Sequence, residues 1–198
     1  MPTKRESLRA VAAEVIVCAK CPLSRSRKNA VPGAGDRKSR IMLVGEAPGR
    51  SEDAKGEPFV GAAGKLLDSL LSEIGLSRKK VFITNVVKCR PPRNRQPLPN
   101  EIKMCTPYLD RQVRILKPII IVTLGNHSSA YIFSKANMSF DTITKAHGWL
   151  YEASLLGLCV KIFPTFHPAA ALYNGQYRRL LQEDFHKLRH HKLDGTPL

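Results

Sequence analysis

The chain has 198 residues, enough for one α/β domain with a full apolar core, and its 43% hydrophobic content excludes a disordered chain. Thirty-two Lys and Arg against 16 Asp and Glu leave a formal charge of +16, which points to a polyanionic partner, nucleic acid before an anionic membrane surface. No apolar stretch reaches the length of a membrane span, and Met1-Pro2-Thr3-Lys4-Arg5-Glu6 lacks the apolar core of a secretory signal. An intracellular protein with no membrane attachment is therefore expected, its five cysteines reduced, buried or metal-bound.

In chain order, the periodicity predicts a helix over 5–17 with Leu8, Val11, Ala12, Val15 and Ile16 on one face. Residues 23–39 are basic and rich in Ser, Gly and Pro, which predicts a loop or irregular arm. Ile41-Met42-Leu43-Val44 reads as a buried strand running into the tight turn Gly45-Glu46-Ala47-Pro48-Gly49. A helix follows over 61–74, with Leu66, Leu67, Leu70, Leu71 and Ile74 as its stripe and Gly75 to end it. Val81 to Val87 forms a second strand, and Lys88 to Arg95 a basic loop stiffened by prolines. A helix over 99–116 opens at Pro99, and Pro107 predicts a kink or break inside it.

The third strand, Ile119 to Leu124, ends at Gly125-Asn126-His127-Ser128 and leads into a helix reaching Ser134. Residues 137–158 read as an irregular or hairpin segment, Val160 to Phe166 as the fourth strand running into His167-Pro168, and 175–191 as a last helix, basic on its outer face. Strands alternating with helices predict a parallel sheet covered on both faces, with right-handed crossovers. The expected organisation is one domain over 1–198: an N-terminal helix and arm over 1–39, then an α/β core over 40–191. Ligand sites of such sheets lie at the carboxyl ends of the strands, where four turns here carry polar residues.

Cys18-Ala19-Lys20-Cys21 is a C-x-x-C pair, while Cys89 and Cys105 flank fifteen residues. Four thiolates suit tetrahedral zinc or a four-iron cluster; the wide second pair leans toward iron–sulfur. Either would staple the N-terminal helix to the loop after the second strand. Cys159 reads as a small core residue at the start of the fourth strand.

Gly45-Glu46-Ala47-Pro48-Gly49, Gly56-Glu57-Pro58-Phe59-Val60-Gly61, Thr84-Asn85-Val86-Val87-Lys88-Cys89-Arg90-Pro91-Pro92 and Phe166-His167-Pro168 occur in this order. With the four cysteines, they resemble the motifs of the type-4 uracil-DNA glycosylases, the iron–sulfur branch of the uracil-DNA glycosylase superfamily. The resemblance runs from about Cys18 to the last helix. It implies a three-layer α/β/α sandwich on a four-stranded parallel sheet. It also implies a monofunctional glycosylase that flips uracil out of DNA and hydrolyses its N-glycosidic bond, starting base-excision repair. The implied cofactor is a [4Fe-4S] cluster on Cys18, Cys21, Cys89 and Cys105, with zinc as the alternative. Uracil-containing DNA, single- or double-stranded, is the implied partner. A replication clamp is a further candidate, and a monomer in the cytoplasm, associated with the nucleoid, is expected. The rival reading is a non-catalytic DNA-binding protein of the same fold with a structural metal site.

By motif position, the uracil pocket falls on Glu46, Ala47, Pro48, Phe59, Asn85 and His167. An extruded base stacks on an aromatic ring, the role assigned to Phe59. The Asn85 amide offers one acceptor and one donor to uracil N3–H and O4, and cytosine presents the reverse. His167 is placed at uracil O2, where negative charge develops as the bond breaks. Glu46 either orients the attacking water or stabilises the cationic sugar, or else holds the turn; where better-known relatives of the superfamily carry an Asp, this chain has Ala47. Glu52 is a candidate for blocking the 5-methyl group of thymine, Leu172 for the wedge that fills the vacated stack, and Arg90, Arg93, Arg95, Arg178 and Arg179 for phosphate contacts. His127, His147, His186, His190 and His191 stand in no such context.

Overall fold

A computed structural model describes residues 6–190. In chain order its elements are α1 (Leu8–Val17), α2 (Leu23–Ser26), β1 (Ala34–Gly35), β2 (Ile41–Gly45), α3 (Arg50–Lys55), α4 (Ala62–Glu73), β3 (Phe82–Asn85), α5 (Pro99–Leu116), β4 (Ile120–Leu124), α6 (Asn126–Lys135), α7 (Ile143–Ala146), β5 (Tyr151–Leu155), β6 (Leu158–Thr165) and α8 (Gly175–His190). Short 3₁₀ turns lie at Pro92–Asn94 and Pro168–Leu172. Residue 5, the expected start of the first helix, and residue 191, the expected end of the last, lie outside the described residues.

The sheet has six strands in the order β1-β3-β2-β4-β6-β5. Its central four, β3-β2-β4-β6, are parallel, and β1 and β5 add antiparallel edges. The expected four-stranded sheet is thus the middle of a larger mixed one. The chain passes from β2 to β3 on one side and then to β4 on the other, which opens a crevice at the carboxyl end of β2.

Side chains alternate across a strand, so β2 serves two cores. Met42 and Val44 pack with α1, α5 and α6; Ile41 and Leu43 pack with α4 and α8. The result is the three-layer sandwich, and all five residues of β2 are buried. Burying each such aliphatic side chain contributes about 1.5–3 kcal/mol.

The helices show how local rules and packing meet. Ser7 caps α1, its Oγ accepting from the Ala10 N–H at 3.2 Å. Leu8, Val11 and Val15 are buried, but Ala12 is only half-buried and Ile16 is exposed, so the stripe of α1 is narrower than expected. Arg111 of α5 holds α1 in place, donating to Glu6 at 2.6 Å and to Glu14 at 2.6 Å. In α4, Leu67, Leu70 and Leu71 are buried and Leu66 half-buried. Glu101 caps α5, accepting from the Leu98 N–H at 2.8 Å.

Several expectations need correction. The helix α5 runs unbroken through Pro107. Pro107 and Lys103, whose carbonyl loses its partner, both face solvent, where that carbonyl is not forced into an apolar core. The arm over 23–39 contains α2 and the edge strand β1. The second strand is shorter than 81–87, ending at Asn85. Residues 137–158 hold α7 and β5, the latter one arm of a hairpin with β6. Cys159 is exposed: it pairs with Ser154 in that edge hairpin, and alternation sends Val160 inward in its place.

Candidate active site

Three strand ends and one turn build a single cavity. Gly45 and Asn85 are register partners at the ends of β2 and β3. A Cβ at Gly45 would lie 2.4 Å from Asn85 Oδ1 and 2.7 Å from Phe59 Cζ. Only glycine leaves room for both side chains to converge there. The cavity, of about 340 Å³, is lined by Glu46, Ala47, Pro48, Phe59, Asn85 and His167 together. Glu52, Asn94 and Arg95 also line it. Leu172 lies outside that lining, 40% exposed at the end of the 3₁₀ turn that follows His167, with Tyr173 beside it at 92%.

Phe59 is held from several sides. Its backbone takes φ 52°, a left-handed conformation that costs a bulky residue energy and persists only when its surroundings enforce it. Arg78 donates to the Pro58 carbonyl at 2.9 Å and to the Phe59 carbonyl. A Cβ at Gly64 in α4 would sit 1.7 Å from the Phe59 carbonyl oxygen, so the helix approaches that carbonyl because position 64 has no side chain. The Phe59 ring stacks beside His167, with centroids 5.5 Å apart and planes at 28°.

Glu52 braces the same turn. Its Oε1 accepts from the Val60 N–H at 2.8 Å and the Gly61 N–H at 2.9 Å, and its Oε2 from the Gly49 N–H at 3.1 Å. The carboxylate expected to face a methyl group is thus engaged by three backbone donors, tying the turn after β2 to the Phe59 turn.

Asn85 is 1% exposed, and its Oδ1 is buried without a hydrogen-bond partner. Leaving such an acceptor unpaired costs roughly 1–3 kcal/mol, and in the cavity wall it is open to a donor from a ligand. His167 Nδ1 accepts from the Ala169 N–H at 3.1 Å, which puts the proton of the neutral ring on Nε2. Desolvation lowers His167 to about 4, opposed by the charge of Glu52, so the ring is neutral near pH 7. Desolvation raises Glu46, and the nearby His127, 3.9 Å away at the start of α6, opposes that rise. His127 follows β4 and Glu46 follows β2, adjacent parallel strands, so sheet order brings together two residues far apart in sequence. His147 meets the buried Asp184 at 3.0 Å, outside the cavity lining.

Asn94 and Arg95 enter the cavity from the proline-stiffened loop. Asn94 has φ 56°, and its Oδ1 accepts from Arg90 Nε at 2.7 Å. Arg95 is fixed by Glu101 through bonds of 2.9 and 2.7 Å. The local signal for this loop was its Arg–Asn–Arg run between prolines, which showed basic charge but not the fold-back into the cavity.

Cys18, Cys21, Cys89 and Cys105 line one small cavity between the end of α1, the segment after β3 and α5. Arg27 Nη1 donates to Cys89 Sγ at 2.9 Å, and the Lys88 N–H to Cys105 Sγ at 3.2 Å. Burial pushes the Cys105 thiol up to about 11 and also raises Cys89, the latter opposed by Arg27. Among the described residues no group of three or more His, Cys, Asp or Glu is arranged to hold a metal ion. Burial also pulls Lys88 down to about 7, against the influence of Cys105, Asp110 and Cys89.

A three-layer sandwich with a base-sized cavity at its switch point fits the uracil DNA glycosylase superfamily, whose family model matches residues 32–189. The type-4 uracil-DNA glycosylase of Saccharolobus solfataricus is 54% identical over 93% of this chain and 86% of its own length. Those of Sulfurisphaera tokodaii and Archaeoglobus fulgidus are 57% and 49% identical, over 93% and 92% of this chain and 84% and 92% of their own. The chain belongs to the type-4 uracil-DNA glycosylase family.

Proposed function

We propose that this protein excises uracil from DNA, hydrolysing the bond between uracil N1 and the deoxyribose C1′ to leave free uracil and an abasic site. The observation that carries the reading of the site is the unpaired Asn85 Oδ1, buried in a cavity beside an aromatic ring and a neutral histidine. Uracil offers N3–H to that oxygen and O4 to the amide N–H. Cytosine would set its own N3 lone pair against Oδ1, a repulsive pairing in a desolvated site. Phe59 supplies a flat face for the extruded base, already in position.

As the bond breaks, the sugar gains positive charge and uracil gains negative charge on O2. His167 Nε2–H is the donor for O2, and because the ring is neutral it gives hydrogen-bond stabilisation without placing a formal charge in the pocket. Glu46, at the cavity wall, orients water toward C1′ or stabilises the cationic sugar; water adds hydroxide to C1′ and its proton leaves with the departing base or to solvent. No lysine lines the cavity among the described residues, which supports hydrolysis by water over a Schiff-base route. The net charge of +16, Arg95 in the cavity wall and the exposed Arg178 and Arg179 support binding of the DNA backbone, and exposed Leu172 supports its reading as the wedge.

The four cysteines are proposed to hold a [4Fe-4S] cluster. Four thiols around one cavity, with two N–H donors aimed at their sulfurs, support a thiolate-held group, and the wide spacing of Cys89 and Cys105 favours the cluster over zinc. The cluster would fasten α1 and α5 to the segment carrying Asn85 and supplies no step of the hydrolysis. A brown protein with four irons per chain supports it, whereas a colourless one with a single zinc rejects it. The excision test is a uracil-containing oligonucleotide incubated with the folded protein and then treated with alkali. Strand breakage at the uracil position is expected, and an intact strand refutes the function.

A further inference from the structure

We propose that Lys88 is a positioning residue for base recognition, its buried amino group fixing the strand end from which Asn85 reads the base. The proposal rests on the reading of Asn85 given above. Lys88 is 1% exposed and ranks among the largest fully buried side chains of the molecule. Lysine is almost never buried this far unless its charge is matched. Here no carboxylate among the described residues bonds it, and Nζ instead lies within hydrogen-bond distance of three neutral oxygens: the Asn85 carbonyl at 2.6 Å, Thr84 Oγ1 at 2.7 Å and Gln112 Oε1 at 2.8 Å.

The placement of those acceptors gives the contact its meaning. Thr84 and Asn85 are the last residues of β3, and the final paired register of β2 with β3 is Gly45 with Asn85. Beyond it the chain stays tied to the turn after β2 by the Val86 N–H on the Gly45 carbonyl at 2.9 Å and the Val87 N–H on the Glu46 carbonyl at 3.0 Å, while the Asn85 carbonyl itself is held by a side chain. Lys88 reaches back three residues to do that. The Lys88 amino group is anchored in turn by Gln112 of α5, whose Nε2 donates to the Pro32 carbonyl at 2.6 Å. Lys88 is fastened through its backbone as well, with its N–H on Cys105 Sγ at 3.2 Å and its carbonyl accepting from Val31 N at 2.7 Å. One residue therefore joins the cysteine cavity to the base-reading amide. It lines no part of the cavity with Asn85 in it, so it acts on the base only through Asn85.

The test is a double-mutant cycle on single-turnover uracil excision, using the holoprotein and saturating uracil-containing oligonucleotide, with DNA affinity and urea unfolding measured alongside. Lys88→Met keeps the length and removes all three contacts. It is expected to slow excision by about tenfold to a hundredfold, the cost of displacing a reactive group by a fraction of an ångström to one ångström, with DNA affinity unchanged. In an Asn85→Ala background the same change is expected to cost nothing further. Equal losses in both backgrounds, or no loss in the wild-type background, overturn the proposal. If Asn85→Ala alone excises uracil at the wild-type rate, the pocket reading fails and this proposal with it. Should Lys88→Met not fold, Gln112→Met removes one anchor of the amino group and takes its place: a smaller loss that vanishes in the Asn85→Ala background supports the role, and an additive one overturns it.

Discussion

Replacing Gly45 with alanine tests whether the pocket works by close fit. The added methyl carbon would stand 2.4 Å from Asn85 Oδ1 and 2.7 Å from Phe59 Cζ. Unstrained carbon contacts lie at roughly 3.5–4.0 Å, so the ring or the new methyl must yield by about 0.8 Å. Phe59 has little freedom, because Arg78 holds its carbonyl, Glu52 holds the two residues after it and Gly64 packs beneath it. Gly45 itself is paired in the parallel ladder with Asn85. The displacement therefore falls on the two side chains that would grip the base. A shift of about 1 Å in such a group costs about a hundredfold in rate, while overpacking one methyl costs roughly 1–3 kcal/mol of stability. Gly45→Ala is accordingly expected to remain folded at 25 °C, to bind uracil-free DNA as the wild type does, and to lose about a hundredfold in single-turnover excision. A folded variant cutting within twofold of the wild-type rate would refute the argument from close approach.

Asn85→Ala and His167→Ala are each expected to keep DNA affinity while excision falls, for His167→Ala by about 10²–10³ through loss of a donor to the developing oxyanion; gel-shift and single-turnover assays on the same preparations check this. His167 titrates at about 4 in the folded state against an ordinary value near 6.5, so acid protonates the unfolded chain first and stability falls as pH drops from about 6.5 toward 4. Between pH 7 and pH 5 the wild type should lose about 1 kcal/mol more than His167→Gln, allowing for the partial exposure of the ring, as read from urea midpoints; equal losses refute it. Cys105→Ser should abolish the visible absorption of the proposed cluster and lower the melting temperature. Cys159→Ser, at an exposed position, should change neither iron content nor excision rate.

The parallel core was legible because Ile41–Val44 and Ile119–Leu124 are nearly unbroken apolar runs closed by glycine, a pattern that fits a doubly covered strand, and Val160–Phe166 is an apolar-rich segment closed by His-Pro. The edge strands were not. β1 is only Ala34–Gly35, and β5 alternates half-buried and exposed residues, so neither carries a full apolar face to announce itself. The break expected at Pro107 is absent; the local rule speaks only of the lost hydrogen bond, not of whether the orphaned carbonyl faces solvent. Cys159 misled because a small apolar residue beside a strand says nothing of which way the pleat turns.

For the site, motif order grouped the residues that line the cavity, but spacing carried no sign of what braces them. Glu52 and Arg78 act on backbone atoms, and backbone contacts leave no mark in residue type. The approach of His127 to Glu46 follows from strand order, which no local pattern encodes.

The clamped Phe59 turn has a consequence for how bases are sampled. A side chain held in a disfavoured backbone state, with guanidinium and carboxylate on either side, would present an extruded base with a shelf formed without any contact from DNA. The slot does not have to mould itself around a visitor, so the ordering cost is met when the chain folds and not at each encounter. On the proposed reading of the site, discrimination would rest on whether the incoming nucleobase matches that shape and the unpaired Asn85 acceptor.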